Sequence, residues 1–297
     1  MPDKPVATAA KLLQRMNDPA HQVIEKEFFG LFYGDKGTKK STTALGLAQK
    51  LRGDGEIIFA AAGTGFASMD RFPALKQNVR HLRMSDYREL YALSKALRQR
   101  VKGYEHFTAI VLDDADSWWQ DLLHGFAFEK AGLDPENDEL PIIDWTWYGP
   151  PQQAMLKTFK NFFNTPDLHV IITAAEQGRP IKGEQNGPDR YTPLLGTKVS
   201  AGIGHLAHVV GRFESRTVGG KDVTEVQIQP SRYVDAKSRL SNTNEKKITQ
   251  IDLVKLASEW IFSDTVEEDL AAPEPQVVAE DVNEGDDDDF SVDDDET

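Results

Sequence analysis

The sequence predicts an α/β fold: a mostly parallel central sheet flanked by helices, followed by a C-terminal β-hairpin and an acidic tail. Two observations carry that expectation. Four short runs are apolar almost throughout, as strands covered on both faces are, and they alternate with stretches whose apolar residues recur at helical spacing. Past Gln177 the texture changes to a loop rich in Gly, Pro and charge, and then to residues alternating about a glycine turn.

Taken in order, residues 1–27 read as an N-terminal lead-in, partly helical. Phe28–Tyr33 is the first core strand, and Lys40–Arg52 has the spacing of the first helix. "EIIFAAAG" (Glu56–Gly63) is a second buried strand, and Asn78–Met84 a short third candidate. In "SDYRELYALSKALRQRV", Leu90, Leu93, Leu97 and Val101 share one helical face. "FTAIVLDDAD" (Phe107–Asp116) and "LHVIITAAE" (Leu168–Glu176) are further core strands, with a helix expected over 150–163 between them. "HVVGRFESRTVGGKDVTEVQIQP" is the hairpin, turning at "VGGKD", and a helix near 248–262 closes the body. The expected division is therefore a lead-in at 1–27, a nucleotide-binding domain at 28–262 and a tail at 263–297.

Composition narrows the setting. The 297 residues contain no cysteine, which excludes disulfides and thiolate metal sites and suits a cytoplasmic location. No apolar run approaches the ~20 residues of a membrane span, so no membrane partner is expected. The seven histidines lack ligand-like spacing, and no zinc site is expected. Of the net charge of −14, residues 264–297 contribute sixteen Asp or Glu and no Lys or Arg, which leaves +2 for the remainder. A slightly basic body thus carries an acidic, low-complexity tail expected to be disordered.

The stretch between the first strand and helix, "GDKGTKKST", bears the chemistry. In the pattern G-x-x-x-x-G-K-[ST], backbone N–H groups wrap phosphates, the lysine reaches the terminal phosphates and the hydroxyl ligates Mg²⁺. Gly34, Asp35, Lys36, Gly37, Thr38, Lys40, Ser41 and Thr42 fill this cradle, which makes ATP and Mg²⁺ the expected cofactors. Lys39 stands where the second glycine belongs, and a side chain there demands a backbone angle costing about 1 kcal/mol. A second element supports the first: Asp113 ends an apolar strand, placed to hold the metal shell, and Asp114 is its available neighbour. Alone, the acid pair could equally cap the next helix.

With these motifs, the succession "YGDKGTKKST", "IVLDDADSW", "DWTWYGPPQQAMLKTFKNFF", "LHVIITAAE", "TPLLGTKVSAGIGHLAHVV" and "QPSRYVDAKSRL" resembles the RecA-like P-loop NTPases of bacteriophages. These AAA-type ATPases are related to phage single-strand annealing ATPases and more distantly to RecA and RadA. The resemblance runs from about Phe28 to Leu240. It implies a RecA-like core that binds ATP and Mg²⁺, assembles into rings or filaments, and acts on single-stranded DNA in an infected bacterial cell. It further implies Lys40 on the β/γ-phosphates, Ser41 on the metal, Asp113 in its outer shell and Thr173 as a γ-phosphate sensor. "AKSRL" is similar to a RadA stretch that reaches a neighbour's nucleotide, which makes Lys237 and Arg239 candidates for that role; a solvated basic turn is the alternative. The family's water-activating glutamate after the second strand is missing from "IIFAAAGTGF". Slow hydrolysis is therefore expected, unless Asp114 substitutes as the second acid does in AAA motors.

The 177–198 loop lies where RecA-like proteins contact DNA. Arg179, Lys182, Arg190 and Lys198 are candidates for phosphates and Tyr191 for stacking on a base. Trp145, Trp147 and Tyr148 are expected to cover a core edge, and Trp118 and Trp119 to divide between core and surface. The tail either solvates the terminus or imitates a nucleic-acid backbone, occupying the DNA groove until DNA or a replication or single-strand-binding partner displaces it.

Overall fold

The computed structural model describes residues 27–62, 73–179, 190–218, 221–228 and 247–262. Its strands are β1 (Phe29–Gly34), β2 (Glu56–Ala61), β3 (Val79–Arg83), β4 (Phe107–Asp113), β5 (His169–Ala174), β6 (Glu176–Arg179), β7 (Arg190–Pro193), β8 (Val209–Val218), β9 (Lys221–Gln227) and β10 (Lys247–Thr249). Its helices are α1 (Lys40–Leu51), α2 (Tyr87–Arg98), α3 (Ala115–Ala131), α4 (Gly149–Phe163), α5 (Thr197–Leu206) and α6 (Gln250–Phe262).

Eight strands form one sheet in the order β10-β9-β8-β1-β5-β4-β2-β3, parallel from β8 to β3 and antiparallel from β8 to β10. Alternation along each strand divides the core into two layers. Leu31, Ile110, Leu112, Val170 and Ile172 face α2, α3, α4 and α5, where Leu90, Trp118, Phe159 and Val199 meet them. Phe32, Phe59, Val111 and Ile171 face α1 and α6 on the other side, where Leu47, Ala48, Leu253 and Ala257 pack. Both faces being covered explains why these strands read as unbroken apolar runs. Among the described residues, no helix is long and apolar enough to cross a membrane.

The expected order of strands and helices is present, and the expected hairpin is β8 and β9, which extends the central sheet because β8 pairs in parallel with β1. Four details depart from expectation. The two ends of the 177–198 segment are strands rather than loop, because β6 and β7 pair antiparallel from Glu176↔Pro193 to Arg179↔Arg190. Trp118 and Trp119 are both buried instead of divided, the former donating its indole N–H to the Met84 carbonyl at 3.0 Å. Val101 lies past the end of α2 and is exposed, whereas Leu90, Leu93 and Leu97 are buried as expected. Trp145 does not cover a core edge: it is 82 % exposed, and of its cluster Tyr148 approaches Trp119 at 6.4 Å.

The parallel strands bring Gly34, Asp113 and Ala174 to one edge of the sheet, the edge where such folds bind ligands. Gly34 is forced there. It pairs with Phe213 at φ +149°, and a Cβ would stand 2.2 Å from the Phe213 carbonyl oxygen. Gly34→Ala is therefore expected to cost at least ~2 kcal/mol in urea unfolding. Gly46→Ala, in the interior of α1 with open space around it, should instead gain about 0.5–1 kcal/mol.

Candidate functional site: a phosphate cradle facing buried acids

The chain leaves β1 at Gly34, turns through residues 35–39 and enters α1 at Lys40. Gly37 takes φ 82°, and the Thr38 hydroxyl donates to the Asp35 carbonyl at 2.8 Å, which fixes the bend. Lys39 occupies the left-handed region, φ 63° and ψ 22°, with no side-chain cap. The backbone thus keeps the glycine-like conformation at the cost expected, and the Lys39 side chain is exposed. Lys40 is buried, and its Nζ donates to the Gly34 and Asp35 carbonyls at 2.8 and 2.7 Å. Burial lowers its pKa; Asp114, Asp113, Asp116 and Glu176 push it back up.

Opposite stand the acids, on the far side of β5 from β1. Asp113 is fully buried. The Thr173 hydroxyl donates to its Oδ1 at 2.7 Å and accepts from the Asp114 N–H at 3.1 Å. Thr173 therefore orients both acids, with its only proton committed to Asp113. Oδ2 of Asp113 has no hydrogen-bond partner. Burial raises the Asp113 pKa, and Ser41, Thr173 and Lys40 moderate the rise. Asp114 is half-buried at φ 59° and ψ 48°, at the head of α3 but with no side-chain cap bond. It is not the ordinary helix cap its sequence position allows. Burial first, then Asp113 and Asp116, lift its pKa to about 6. Asp116 accepts the Ala175 N–H at 2.8 Å, tying the end of β5 to α3.

Three residues that sequence reasoning passed over complete this edge. Glu176 pairs with Arg212 through two contacts, Oε2–Nε at 2.7 Å and Oε1–Nη2 at 3.3 Å, and is close enough to raise the Lys40 pKa. Arg212 also holds Glu214 at 2.5 Å, and its guanidinium lies 3.8 Å from the Tyr191 ring centre. Nothing in the local pattern marked Glu176, Arg212 or Glu214. They meet at this edge because Arg212 lies opposite Tyr33 in the β1–β8 register.

The nucleic-acid candidates fall in different places. Tyr191 is 41 % exposed, with one face under Arg212. Lys198 is exposed on the first turn of α5. Arg179 and Arg190 lie opposite each other in the ribbon, though their side chains are outside the described set. Lys182, Lys237, Arg239 and the acidic tail lie outside the described residues.

The donor set suits Mg²⁺ carried in with a polyphosphate. A hard divalent cation takes oxygen ligands, commonly one or two carboxylates with phosphates and water completing the shell. Here the unpartnered Oδ2 of Asp113 and the Ser41 hydroxyl are the oxygens available. Among the described residues, no group of three or more His, Cys, Asp or Glu could hold a metal by itself. Ser41 and Asp113 would hold the ion, which would neutralise phosphate charge.

A glycine-bearing turn at the head of α1, a β5 strand between β1 and β4, and a buried acid ending β4 define a P-loop NTPase domain. More narrowly, residues 27–240 match the family described as AAA domain, and the chain belongs to it. No curated protein matches. Among solved structures, a chain titled as an ATPase domain is similar at 10 % identity and a TM-score of 0.42, over 76 % of this chain and 81 % of that one.

Two measurements follow from the geometry. Lys39→Gly should stabilise the nucleotide-free protein by about 1 kcal/mol in denaturant unfolding, because it relieves the left-handed backbone. Asp114 has a folded pKa raised from 3.8 to about 6, so it takes up a proton on folding. Its contribution to stability therefore falls as pH rises through that window. Asp114→Asn should raise Tm at pH 7 more than at pH 4. Comparing the two proteins isolates this group from buried His169, whose lowered pKa acts in the opposite direction.

Proposed function

We propose that the protein is an ATP-binding, RecA-like protein of phage recombination or replication. It acts on single-stranded DNA, assisting annealing or strand exchange, and hydrolyses ATP slowly. The observation that carries the nucleotide part is the orphaned, fully buried Oδ2 of Asp113 across from Lys40 and Ser41. Such a carboxylate is costly unless a cation reaches it, and magnesium triphosphate supplies one. Lys40 exchanges its two loop carbonyls for phosphate oxygens, and the amides of residues 36–41 line the bound anion.

Slow turnover follows from what surrounds the acids. The sequence after β2 lacks a carboxylate, Glu176 is held by Arg212, and Asp116 is engaged by the Ala175 N–H. The DNA part is supported by the ribbon rooted beside the cradle, where Tyr191 is exposed, by exposed Lys198 on the first turn of α5, and by Lys182 in the intervening sequence. On this reading Lys237 and Arg239 reach a neighbouring subunit's nucleotide in a ring or filament, and the acidic residues 263–297 follow the 28–262 domain as a partner-binding tail. A motor-like ATPase is the second reading. Asp114 favours it by position: it follows the buried Asp113, is oriented through Thr173, and its side chain makes no cap bond at the head of α3, which leaves the carboxylate available to accept a proton from water.

Mg-ATP binding by calorimetry and ATPase rates with and without single-stranded DNA test these readings. Lys40→Ala should abolish nucleotide binding. DNA-stimulated, slow hydrolysis is the expected result, whereas fast DNA-independent turnover would establish the motor instead. In either case the rate should climb with pH as the base loses its proton if Asp114 is that base. Asp114→Asn should then lower it by ~10²–10⁴ and remove that pH dependence. Absence of any binding at millimolar magnesium would overturn the assignment.

A further inference from the structure

We propose that the connection between α3 and α4 is a docking surface for the chain's own N-terminal segment, residues 4–16. Helix-to-helix connections in compact domains run to about 2–8 residues, whereas α3 ends at Ala131 and α4 begins only at Gly149. The excess chain is held in place. Asp134 accepts the Glu136 N–H at 3.0 Å, Asp138 accepts the Asp134 N–H at 2.7 Å, and Asp144 accepts the Thr146 N–H at 2.8 Å. Ile143 packs against the core, and Tyr148 reaches Trp119. On this fixed frame Ile142 is 95 % exposed, Trp145 82 % and Leu140 46 %. Large apolar side chains left in water on an ordered backbone mark a site of contact.

Charge selects the occupant. Asp134, Glu136, Asp138, Glu139 and Asp144 are the only charged residues of 132–148, and none of them is ion-paired with a described residue. Such a rim repels phosphate backbones and anionic lipid headgroups and attracts an apolar stripe accompanied by cations. Residues 4–16 lie outside the described residues, and their sequence, "KPVATAAKLLQRM", has that pattern. Ala9, Leu12, Leu13 and Met16 recur at i, i+3, i+4 and i+7, Lys4, Lys11 and Arg15 share the polar side, and no acid interrupts them. The apolar stripe covers Ile142 and Trp145, while the long cationic side chains reach the carboxylates around them.

The tether is long enough for this. The described chain begins beside β5, where the Glu27 carboxylate accepts the Asp167 N–H at 2.9 Å. α4 leads from the Trp145–Tyr148 turn back toward the start of β5, and its fifteen residues measure ~22 Å. Residues 17–27 span up to ~36 Å when extended. Residues 4–16 can therefore lie at the far end of α4, on the connection that carries Ile142 and Trp145.

Because the chain has no cysteine, engineered pairs test the contact directly on the full-length protein. In Leu13→Cys/Ile142→Cys, oxidation by copper phenanthroline should close a disulfide within one chain, at a rate independent of protein concentration. That rate should exceed ~10-fold the rate of Leu13→Cys/Val223→Cys, whose second site is an exposed position on β9. Lys11→Glu with Arg15→Glu should slow closure about fivefold, and adding Glu136→Lys with Glu139→Lys should restore it. Neither glutamate lends its side chain to the bonds that hold the connection, so the frame survives the exchange. Trp145→Ser should slow closure as charge reversal does. Equal rates for the two cysteine pairs would overturn the docking, as would a charge reversal without effect or without rescue. A disulfide between chains that grows with protein concentration would overturn it in favour of a second copy on the same surface.

Discussion

A buried lysine and a buried carboxylate face each other at the end of a parallel sheet, and the rest of this molecule is arranged around that confrontation. Neither charge is comfortable: burial lowers the Lys40 pKa and raises that of Asp113, while each moderates the other's shift. In a low-dielectric setting such a pair tolerates little displacement. β5 lies between β1, which leads into the turn before Lys40, and β4, which ends in Asp113, and Thr173 on it holds Asp113 and Asp114 by hydrogen bonds. Two non-glycine residues in left-handed conformation, Lys39 and Asp114, sit on opposite sides of the gap. Backbone strain at both walls is accepted where the surrounding sheet over-determines the geometry.

The same few residues join nucleotide chemistry to the ribbon. Thr173, Ala175 and Glu176 lie close together along the chain, touching in turn the acid pair, Asp116 and Arg212. Arg212 then stacks on Tyr191, whose backbone carbonyl also accepts the Tyr33 hydroxyl at 3.5 Å. A shift of the acids is thus mechanically connected to the base of β6 and β7 by short, directional contacts rather than by a diffuse core.

Much of this fold was legible because its strands are sealed on both faces. "FTAIVLD" and "HVIITA" have no polar alternation to confuse with an exposed strand, and the cradle announces itself through glycine spacing. Helix ends were read less well. Val101 keeps helical phase with Leu97 but falls beyond the last turn, since spacing registers a face without registering where it stops. Glu176 and Arg212 escaped because their meaning arises from pairing across the sheet, and the hairpin's parallel docking on β1 cannot be read from either segment alone. Trp118 was ambiguous for a different reason: an indole is buried comfortably only if its N–H finds a carbonyl, and that partner, Met84, sits at the end of a distant strand.

The two margins of the described sheet are both blunt. β10 is three residues long, and β3 displays Arg80, His81 and Arg83 to solvent, with Arg80 pinned to Glu56 at 2.7 Å. Short and cationic margins resist the addition of a further strand from another polypeptide. Growth by edge-to-edge extension at either of these described margins is thereby disfavoured.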